Sequence, residues 1–300
     1  MNPLVTIGLC VRNCEDYIKE TIDSLLSQDF PHELLEVVAV DGNSTDKTLS
    51  IIKKELGQSD VKTEIFSENE GLGVARQIVV DNARGEYVLW IDGDMVMSKD
   101  FITKLVGFMD QHAKVGIVKG KQALKPGRNL LATLESYSRA VGRMVDYESE
   151  KGRSKTLGTA GALCRIEAIK QAGGFDRNLR LYNEDWDLEI RVRAAGWALR
   201  TTDAWYLDYE RLGLTWKGLW KKYWLRGYYS HYFLHKKKGM IKHYRMFPPA
   251  AFASGILSAF TLFKLTRLRA VFLLPFESLF KMTGWYVGYA RSHVDSYAPE

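Results

Sequence analysis

The first two-thirds of the chain alternates two kinds of segment, and that alternation restricts the fold more than any other feature. "LVTIGLC" (Leu4 to Cys10) is β-branched and apolar, the pattern of a strand buried on both faces. Leu35 to Val40, Lys62 to Ser67, Tyr87 to Ile91 and "VGIVKG" read as further strands. Between them Ile18, Ile22, Leu25 and Leu26 recur at helical spacing within Glu15 to Gln28, and Pro31 follows as a stop. Ser44 or Thr45 is placed to cap a helix through "SIIKKEL", Gly73 to Ala83 gives another, and Ser98 is placed to cap Lys99 to Gln111. Strands alternating with helices predict an α/β fold, with a mostly parallel central sheet and helices on both faces.

Such sheets bind ligands beyond the carboxyl ends of their strands. Polar residues gather there: Arg12 and Asn13 after the first strand, Asp41 after the second, Glu68 and Asn69 after the third, Asp92 and Asp94 after the fourth. In "VLWIDGDMVM" two carboxylates border an apolar run, where desolvation is costly unless water, a cation or hydrogen-bond donors meet them. Gly93 between them is expected to turn the chain sharply toward the rim. Hard cations such as Mg²⁺ or Mn²⁺ use one or two protein carboxylates with substrate phosphates completing the shell. An Asp-Gly turn capping the next helix is the alternative. Glu184, Asp185 and Asp187 cluster at a helix start, where the macrodipole favours carboxylates, so capping competes with catalysis there too. Asp187 and Arg191 are spaced as an i,i+4 ion pair.

Three cysteines, Cys10, Cys14 and Cys164, make no disulfide framework and read as plain thiols in a reducing compartment. "MNPLVTIGLC" has no basic start, so no secretory signal is expected. Charge is unevenly spread. Between Glu210 and Glu277 there is no acidic residue, and thirteen of the 42 Lys and Arg lie there, among them Arg211, Lys238, Lys242 and Arg245. That leaves 29 basic against 36 acidic residues elsewhere. An acidic body joined to a basic section implies two jobs.

Six ordered motifs resemble the family 2 glycosyltransferases of the glycosyltransferase-A fold, over roughly Leu4 to Trp224. They are "TIGLCVRNCEDYIKETIDSLLSQ", "VVAVDGNSTDKT", "NEGLGVARQ", "DGD" in the place of the Asp-x-Asp signature, "GTAGALCRIEAI", and "GGFDRNLRLYNEDWDLEIRVRAAGW". The resemblance implies an inverting transfer of a sugar from a UDP- or GDP-linked donor, with Mn²⁺ or Mg²⁺ as cofactor. It implies nucleotide contacts at Cys10, Arg12, Asn13, Asp41, Arg76 and Asp92, and metal ligation by Asp94 and Asp92. Asp41 would accept from a base N–H, and Arg76 would approach the nucleotide or its diphosphate. Asp185 would be the base for the acceptor with Glu184 as its neighbour. Gly158, Thr159, Ala160, Gly161, Trp186 and Arg226 would meet the acceptor. The family often carries a histidine shortly after the catalytic helix; here Asp208, Tyr209 and Glu210 stand there, the usual proline of the first strand end is Cys10, and Arg12 takes a common aromatic position. A sugar nucleotidyltransferase would need a Gly-rich, Arg-containing phosphate loop that "CVRNCED" does not offer. A non-catalytic scaffold is opposed by the presence of Asp41, Asp92, Asp94 and Asp185.

These readings divide the chain into a catalytic domain over 1–212, with a nucleotide half to about 120 and an acceptor half after it, and a tail over 213–300. In the tail Trp216, Trp220, Tyr223 and Trp224 interleave with Lys217, Lys221 and Lys222, suiting a headgroup region and anionic lipid rather than nucleic acid. Pro248 to Phe263 carries no charge, while Ala270 to Ala290 is interrupted by Glu277 and Lys281. Sixteen helical residues reach about 24 Å, short of a bilayer core. The expectation is a monotopic hairpin or two short helices at the cytoplasmic face of the membrane, with a packed helical pair or an oligomer contact as the alternative. A lipid-linked acceptor, such as a polyprenyl phosphate, follows from that placement.

Overall fold

The structure is a computed structural model and describes residues 4–143, 156–209, 214–237 and 247–297; Glu210, Arg211, Lys238, Lys242 and Arg245 lie outside them. In chain order its elements are β1 (Val5–Val11), α1 (Ile18–Leu26), β2 (Leu35–Asp41), α2 (Thr48–Gly57), β3 (Lys62–Ser67), α3 (Leu72–Asn82), β4 (Tyr87–Ile91), β5 (Met95–Met97), α4 (Phe101–Gln111), β6 (Val115–Gln122), α5 (Leu130–Arg143), β7 (Ala162–Arg165), α6 (Ile166–Gln171), α7 (Glu184–Ala194), β8 (Ala198–Asp208), α8 (Trp216–Lys236), α9 (Pro248–Thr266) and α10 (Leu274–Val294). They form two compact units. The first holds Met1–Ala123, Asp146–Arg180 and Glu184–Asp208; the second holds Leu124–Val145, Leu181–Asn183 and Tyr209–Glu300. The division expected at 212/213 is therefore not a single cut, because α5 groups with the C-terminal helices.

The first unit is built on an eight-stranded sheet in the order β3-β2-β1-β4-β7-β6-β8-β5. The apolar runs of β1, β2 and β4 are buried along their whole length, apart from half-buried Cys10. They pair in parallel, Ile7 lying beside both Val37 and Leu89, and β3 extends the set through Ala39 and Ile65. One parallel register makes the carboxyl ends coincide: Val11 lies beside Asp41, Asp41 beside Ser67, and Leu9 beside Ile91. The far half of the sheet is mixed. β7 runs antiparallel to both β4 and β6, β8 is parallel to β6, and the three-residue β5 closes antiparallel on β8. Helix starts also differ from expectation. α1 begins only at Ile18, and neither Ser44, Thr45 nor Ser98 caps a helix; Ser98 Oγ instead donates to Asp100 at 2.7 Å.

The second unit packs α5, α8, α9 and α10. Gly227 of α8 and Gly288 of α10 let two helix backbones meet: a Cβ on Gly227 would strike the Trp285 carbonyl, and one on Gly288 the Trp224 carbonyl. Part of the Trp and Tyr stripe of α8 serves this packing, while Trp216 stays 51% exposed. Tyr223 is buried, and Trp216 and Trp220 meet Phe280 at 5.0 and 5.3 Å between ring centres. The two charges that interrupt α10 point inward. Lys281 Nζ lies 2.7 Å from Glu277 and 2.9 Å from Glu135 of α5, and Lys222 approaches Glu135 at 3.1 Å. Burial works against the Glu135 charge, yet Lys281, Lys222 and Arg139 hold its carboxyl well below the usual range. Burial pushes Glu277 up to about 7 against the pull of Lys281. Glu135 is thus the settled partner of Lys281. Among the described residues α9 is the helix long and apolar enough to cross a membrane, by length and composition only.

Deleting one partner of a buried ion network leaves the others uncompensated, at a typical cost of about 3–5 kcal/mol. Lys281→Ala is expected to lose stability of that order in urea denaturation followed by circular dichroism. Lys19→Ala, which breaks an exposed i,i+4 pair with Asp23, should leave the denaturation midpoint nearly unchanged.

Candidate active site

The shared rim of β1 to β4 is wired by its own polar residues. Asn13 has positive φ and a committed side chain: its Oδ1 accepts from the Thr45 N–H at 2.8 Å, and its own N–H donates to Ser44 Oγ at 3.0 Å. It ties the loop after β1 to the loop after β2. Glu68 Oε2 accepts from the N–H groups of Glu70 and Gly71, both at 2.7 Å, and so orders the entry to α3. Arg12 is exposed on the same rim.

Asp41, the last residue of β2, is 3% exposed. Its Oδ2 accepts from the Ser44 N–H at 2.9 Å, while its Oδ1 is buried without a hydrogen-bond partner. Buried acceptors left in this state are rare in folded proteins.

Asp92 and Asp94 occupy the turn between β4 and β5, and both are half-buried. Gly93 does not have positive φ; the sharp-turn expectation is replaced by one of room. A Cβ there would lie 2.5 Å from Cys14 Sγ and 2.9 Å from Val11, so only glycine lets this turn settle against the end of β1. In the register of β5 with β8, Asp208 stands opposite Met95, one residue from Asp94. This is the position at which the sequence departs from the family's histidine.

Behind this turn lies a buried ionic knot. Arg76 of α3 is 5% exposed, and its Nη1 lies 2.9 Å from Glu184 Oε1, off the direction of a hydrogen bond. Its guanidinium also sits over the rings of Trp90 and Phe175, at 5.6 and 5.8 Å from their centres. Burial costs this charge, but Glu184, Asp185 and Asp92 more than restore it, and the pKa is raised. Arg76 is therefore an enclosed cation beneath the rim, held between Glu184 and two aromatic rings. Burial pushes Glu184 up to about 7, with Arg76 opposing and Asp185 and Asp92 adding to the rise. Cys10 is half-buried, and desolvation lifts its thiol to about 12, Arg76 opposing, so it stays a neutral thiol. None of the three cysteines is in a disulfide.

Asp185 and Trp186 are half-buried in the first turn of α7, and Asp185 Oδ1 accepts from the Trp186 N–H at 2.7 Å. Asp187 is fully buried and pairs with Arg191 at 2.6 Å, the i,i+4 pair that the spacing indicates. Arg191 also donates to the carbonyls of Ala172 and Gly174, anchoring α7 to the end of α6.

Gly158, Thr159, Ala160 and Gly161 are all buried, and they turn the chain into β7. The Gly161 N–H donates to the Trp90 carbonyl, and Gly161 itself packs on Tyr206. The segment is a tightly packed turn. Two buried charges that sequence reading missed hold the segment leading into it. Lys119 Nζ donates to the carbonyls of Leu157 and Gly158 at 2.5 and 3.0 Å. Glu189 accepts from the Leu157 and Gly158 N–H groups and from the Thr156 hydroxyl, at 2.8–2.9 Å. Burial, then Asp185, push Glu189 up to about 7. Their only trace in the sequence is a charge inside an apolar run, "GIVKG", and a carboxylate on the inner face of α7. Arg226 belongs to the second unit, where its guanidinium lies over the rings of Tyr182 and Tyr223 at 5.5 and 5.1 Å.

Comparison with known proteins agrees with this architecture. Over 101 residues the chain is 39% identical to the poly(ribitol-phosphate) β-N-acetylglucosaminyltransferase TarS of Staphylococcus aureus, a match covering 33% of this chain and 18% of TarS. Over 206 residues it is 24% identical to the poly-β-1,6-N-acetyl-D-glucosamine synthase of Staphylococcus epidermidis, covering 65% of this chain and 50% of that enzyme. These matches thus span half or less of the curated relatives' length. Among solved structures, the mannosyltransferase PcManGT from Pyrobaculum calidifontis, in complex with GDP-Man and Mn²⁺, superposes with a TM-score of 0.66 at 18% identity, covering 99% of this chain and 89% of that one. TarS with UDP-GlcNAc gives 0.56 at 17% identity, covering 99% and 93%. These structures share the glycosyltransferase-A fold. The model of glycosyl transferase family 2 matches residues 6–172, more than half of the 300, and the chain belongs to that family as a glycosyltransferase.

Proposed function

We propose that this enzyme moves a sugar from a nucleoside-diphosphate donor onto a lipid-linked acceptor at a membrane surface, by one direct displacement with inversion. The observation that carries the reading is Asp41 Oδ1, a buried carboxylate oxygen without a partner on the same rim as Asp92 and Asp94. An N–H on the Watson–Crick edge of uracil or guanine would supply the missing donor. Asp94 and Asp92 offer hard oxygen ligands from a turn that a single Cβ would displace, and this donor set fits Mn²⁺ or Mg²⁺ with pyrophosphate oxygens in the remaining positions. Such an ion supplies Lewis-acid neutralisation of the departing diphosphate. Arg76 adds fixed positive charge behind the rim and holds Glu184 in place. Asp185, more accessible than Glu184, accepts the proton of a hydroxyl acceptor or orients an ionised phosphate. Glu184 is buried against Arg76, which offsets its charge beside Asp185.

Lipid engagement rests on α9 and the turn after it. Leu257 is 71% exposed and Phe276 61%, with Phe260, Leu265 and Phe272 also exposed, and Lys264, Arg267 and Arg269 exposed beside them. Apolar side chains with adjacent basic residues suit a face lying in the headgroup region of anionic lipid.

Calorimetric titration of UDP- and GDP-sugars with and without Mn²⁺ tests the donor reading. One of the two should bind with the metal and lose that binding in Asp94→Asn; metal-independent binding, or none, would overturn it. Asp185→Asn should leave donor binding intact and lower kcat by roughly 10²–10⁴-fold. Sedimentation with phosphatidylglycerol vesicles tests the membrane face. The wild type should pellet and the double variant Leu257→Glu, Phe260→Glu should stay in the supernatant.

The Glu189 clamp gives a pH dependence. Its folded value of about 7 lies above the ordinary 4.5. Its proton is therefore held more tightly in the folded chain, a contribution present below 4.5 and lost as pH rises through 7. Between pH 5 and 8 the melting temperature of Glu189→Gln should fall less than that of the wild type.

A further inference from the structure

Three histidines of the second unit converge outside the catalytic rim. His231 and His235 lie one turn apart on α8, and His293 is in the last turn of α10. Each offers a ring nitrogen, and the three nitrogens lie within 4.8 Å of one another. We propose that His231, His235 and His293 form a binding site for Zn²⁺ that fastens the end of α10 to α8.

Hydrogen bonding decides which nitrogens are available. His231 Nδ1 lies 3.0 Å from the Tyr297 carbonyl, and His235 Nδ1 lies 2.8 Å from the His231 carbonyl. A carbonyl oxygen only accepts, so both Nδ1 atoms carry the proton. Both Nε2 atoms are then left with a lone pair. This is the usual arrangement of ligating histidines, whose second nitrogen donates to a backbone carbonyl or carboxylate and fixes the ring. His231 Nε2 is 3.2 Å from His293 Nδ1. Two nitrogens on one tetrahedral zinc ion, each bonded at 2.0–2.1 Å, sit about 3.3–3.4 Å apart, so this pair already has nearly the spacing that an ion requires. Without metal, a His293 Nδ1–H donates across that gap. With metal, His293 moves its proton to Nε2, and no proton need leave the protein.

The surroundings favour a neutral cluster. His231 is buried, and desolvation, with His235 and then His293 against a second positive charge, lowers its pKa, the Tyr297 carbonyl opposing. His235 and His293 are exposed, which leaves an entry path and a fourth position for water. Asp295 is occupied by Arg291 at 3.0 Å and by the Tyr228 hydroxyl at 3.3 Å, so it competes little for the histidines. Imidazole nitrogens suit zinc and its neighbours, whereas carboxylate oxygens suit Mn²⁺ and Mg²⁺. This cluster and the Asp92–Asp94 turn therefore select different ions.

The test uses the full chain without an affinity tag, stripped with EDTA and titrated with ZnCl₂ in a calorimeter, and with Co²⁺ in a visible spectrophotometer. The wild type and Asp94→Asn should each take up one equivalent of Zn²⁺ and show the ligand-field bands of a four-coordinate Co²⁺ ion. At a hundredfold excess of Zn²⁺ over its Kd the melting temperature should rise by roughly 5–10 °C. His235→Ala and His293→Ala, checked for native circular dichroism, should bind Zn²⁺ at least about tenfold more weakly and lose the Co²⁺ bands. Absence of stoichiometric binding by the wild type would overturn the proposal, as would unchanged binding in either histidine variant or loss of the signal in Asp94→Asn alone.

Discussion

The parallel register of β1, β2 and β4 is the constraint on which the catalytic half depends. A parallel pair brings two carboxyl ends to the same edge, and here three pairings in one register bring four. The edge is where the main chain leaves the sheet, so polar side chains reach solvent there without interrupting the apolar strand interiors. Asp41 and Asp92 are adjacent to fully buried residues for this reason. Their carboxylates stand at a boundary that the backbone hydrogen bonds have already fixed, and Asn13 and Glu68 tighten the loops around them. The site is preorganised by the sheet and then by its loops.

Electrostatics finishes what the register begins. Carboxylates from β4 and α7 would repel one another in a poorly hydrated place, and Arg76 is the charge that makes their company tolerable. The Arg76–Glu184 pair shows how the two neighbours in "NEDW" come to differ in environment. Glu184 is buried and faces the guanidinium, while Asp185 is half-buried and turned toward its own helix N-terminus. Two adjacent acids thus acquire different environments from the first turn of one helix.

Much of this was legible in the sequence because β1, β2 and β4 are buried on both faces and declare themselves as apolar runs, while the half-exposed β3 follows from the alternation of strand and helix. Their ends gave the rim residues by position alone. β5, β7 and β8 were not legible. β5 has three residues, β7 follows a glycine-rich turn, and β8 mixes Arg200, Thr201 and Asp203 into its length, so neither period nor composition marks them. Side-chain commitments over long separations were equally hidden. Nothing local distinguishes an Arg76 that reaches a nucleotide from one that pairs with Glu184, 108 positions later. Lys119 and Glu189 acquire their roles only once the turn at Gly158 is brought between them. In the tail, Glu277 and Lys281 read as interruptions of a membrane segment. Helix packing turned them inward onto Glu135 instead.

That inward turn bears on the lipid contact proposed for the second unit. A helix whose charges are satisfied inside its own bundle keeps an outer face of apolar residues without exposing an ion to hydrocarbon, and α10 with Phe276 is arranged in this way. The desolvation cost of the charges falls within the protein, where Glu135, Lys222 and Tyr223 share it. α9 contributes an uncharged stretch on the same unit, ending at Lys264 and a left-handed Arg267. A segment of this kind gains from shallow contact with headgroups, where Leu257 and Phe260 bury while Lys264, Arg267 and Arg269 stay hydrated. Full insertion would instead drag the ionic core of its partner helices toward hydrocarbon. In the proposed membrane contact, the buried network therefore favours a unit lying on the surface over one threaded through the bilayer.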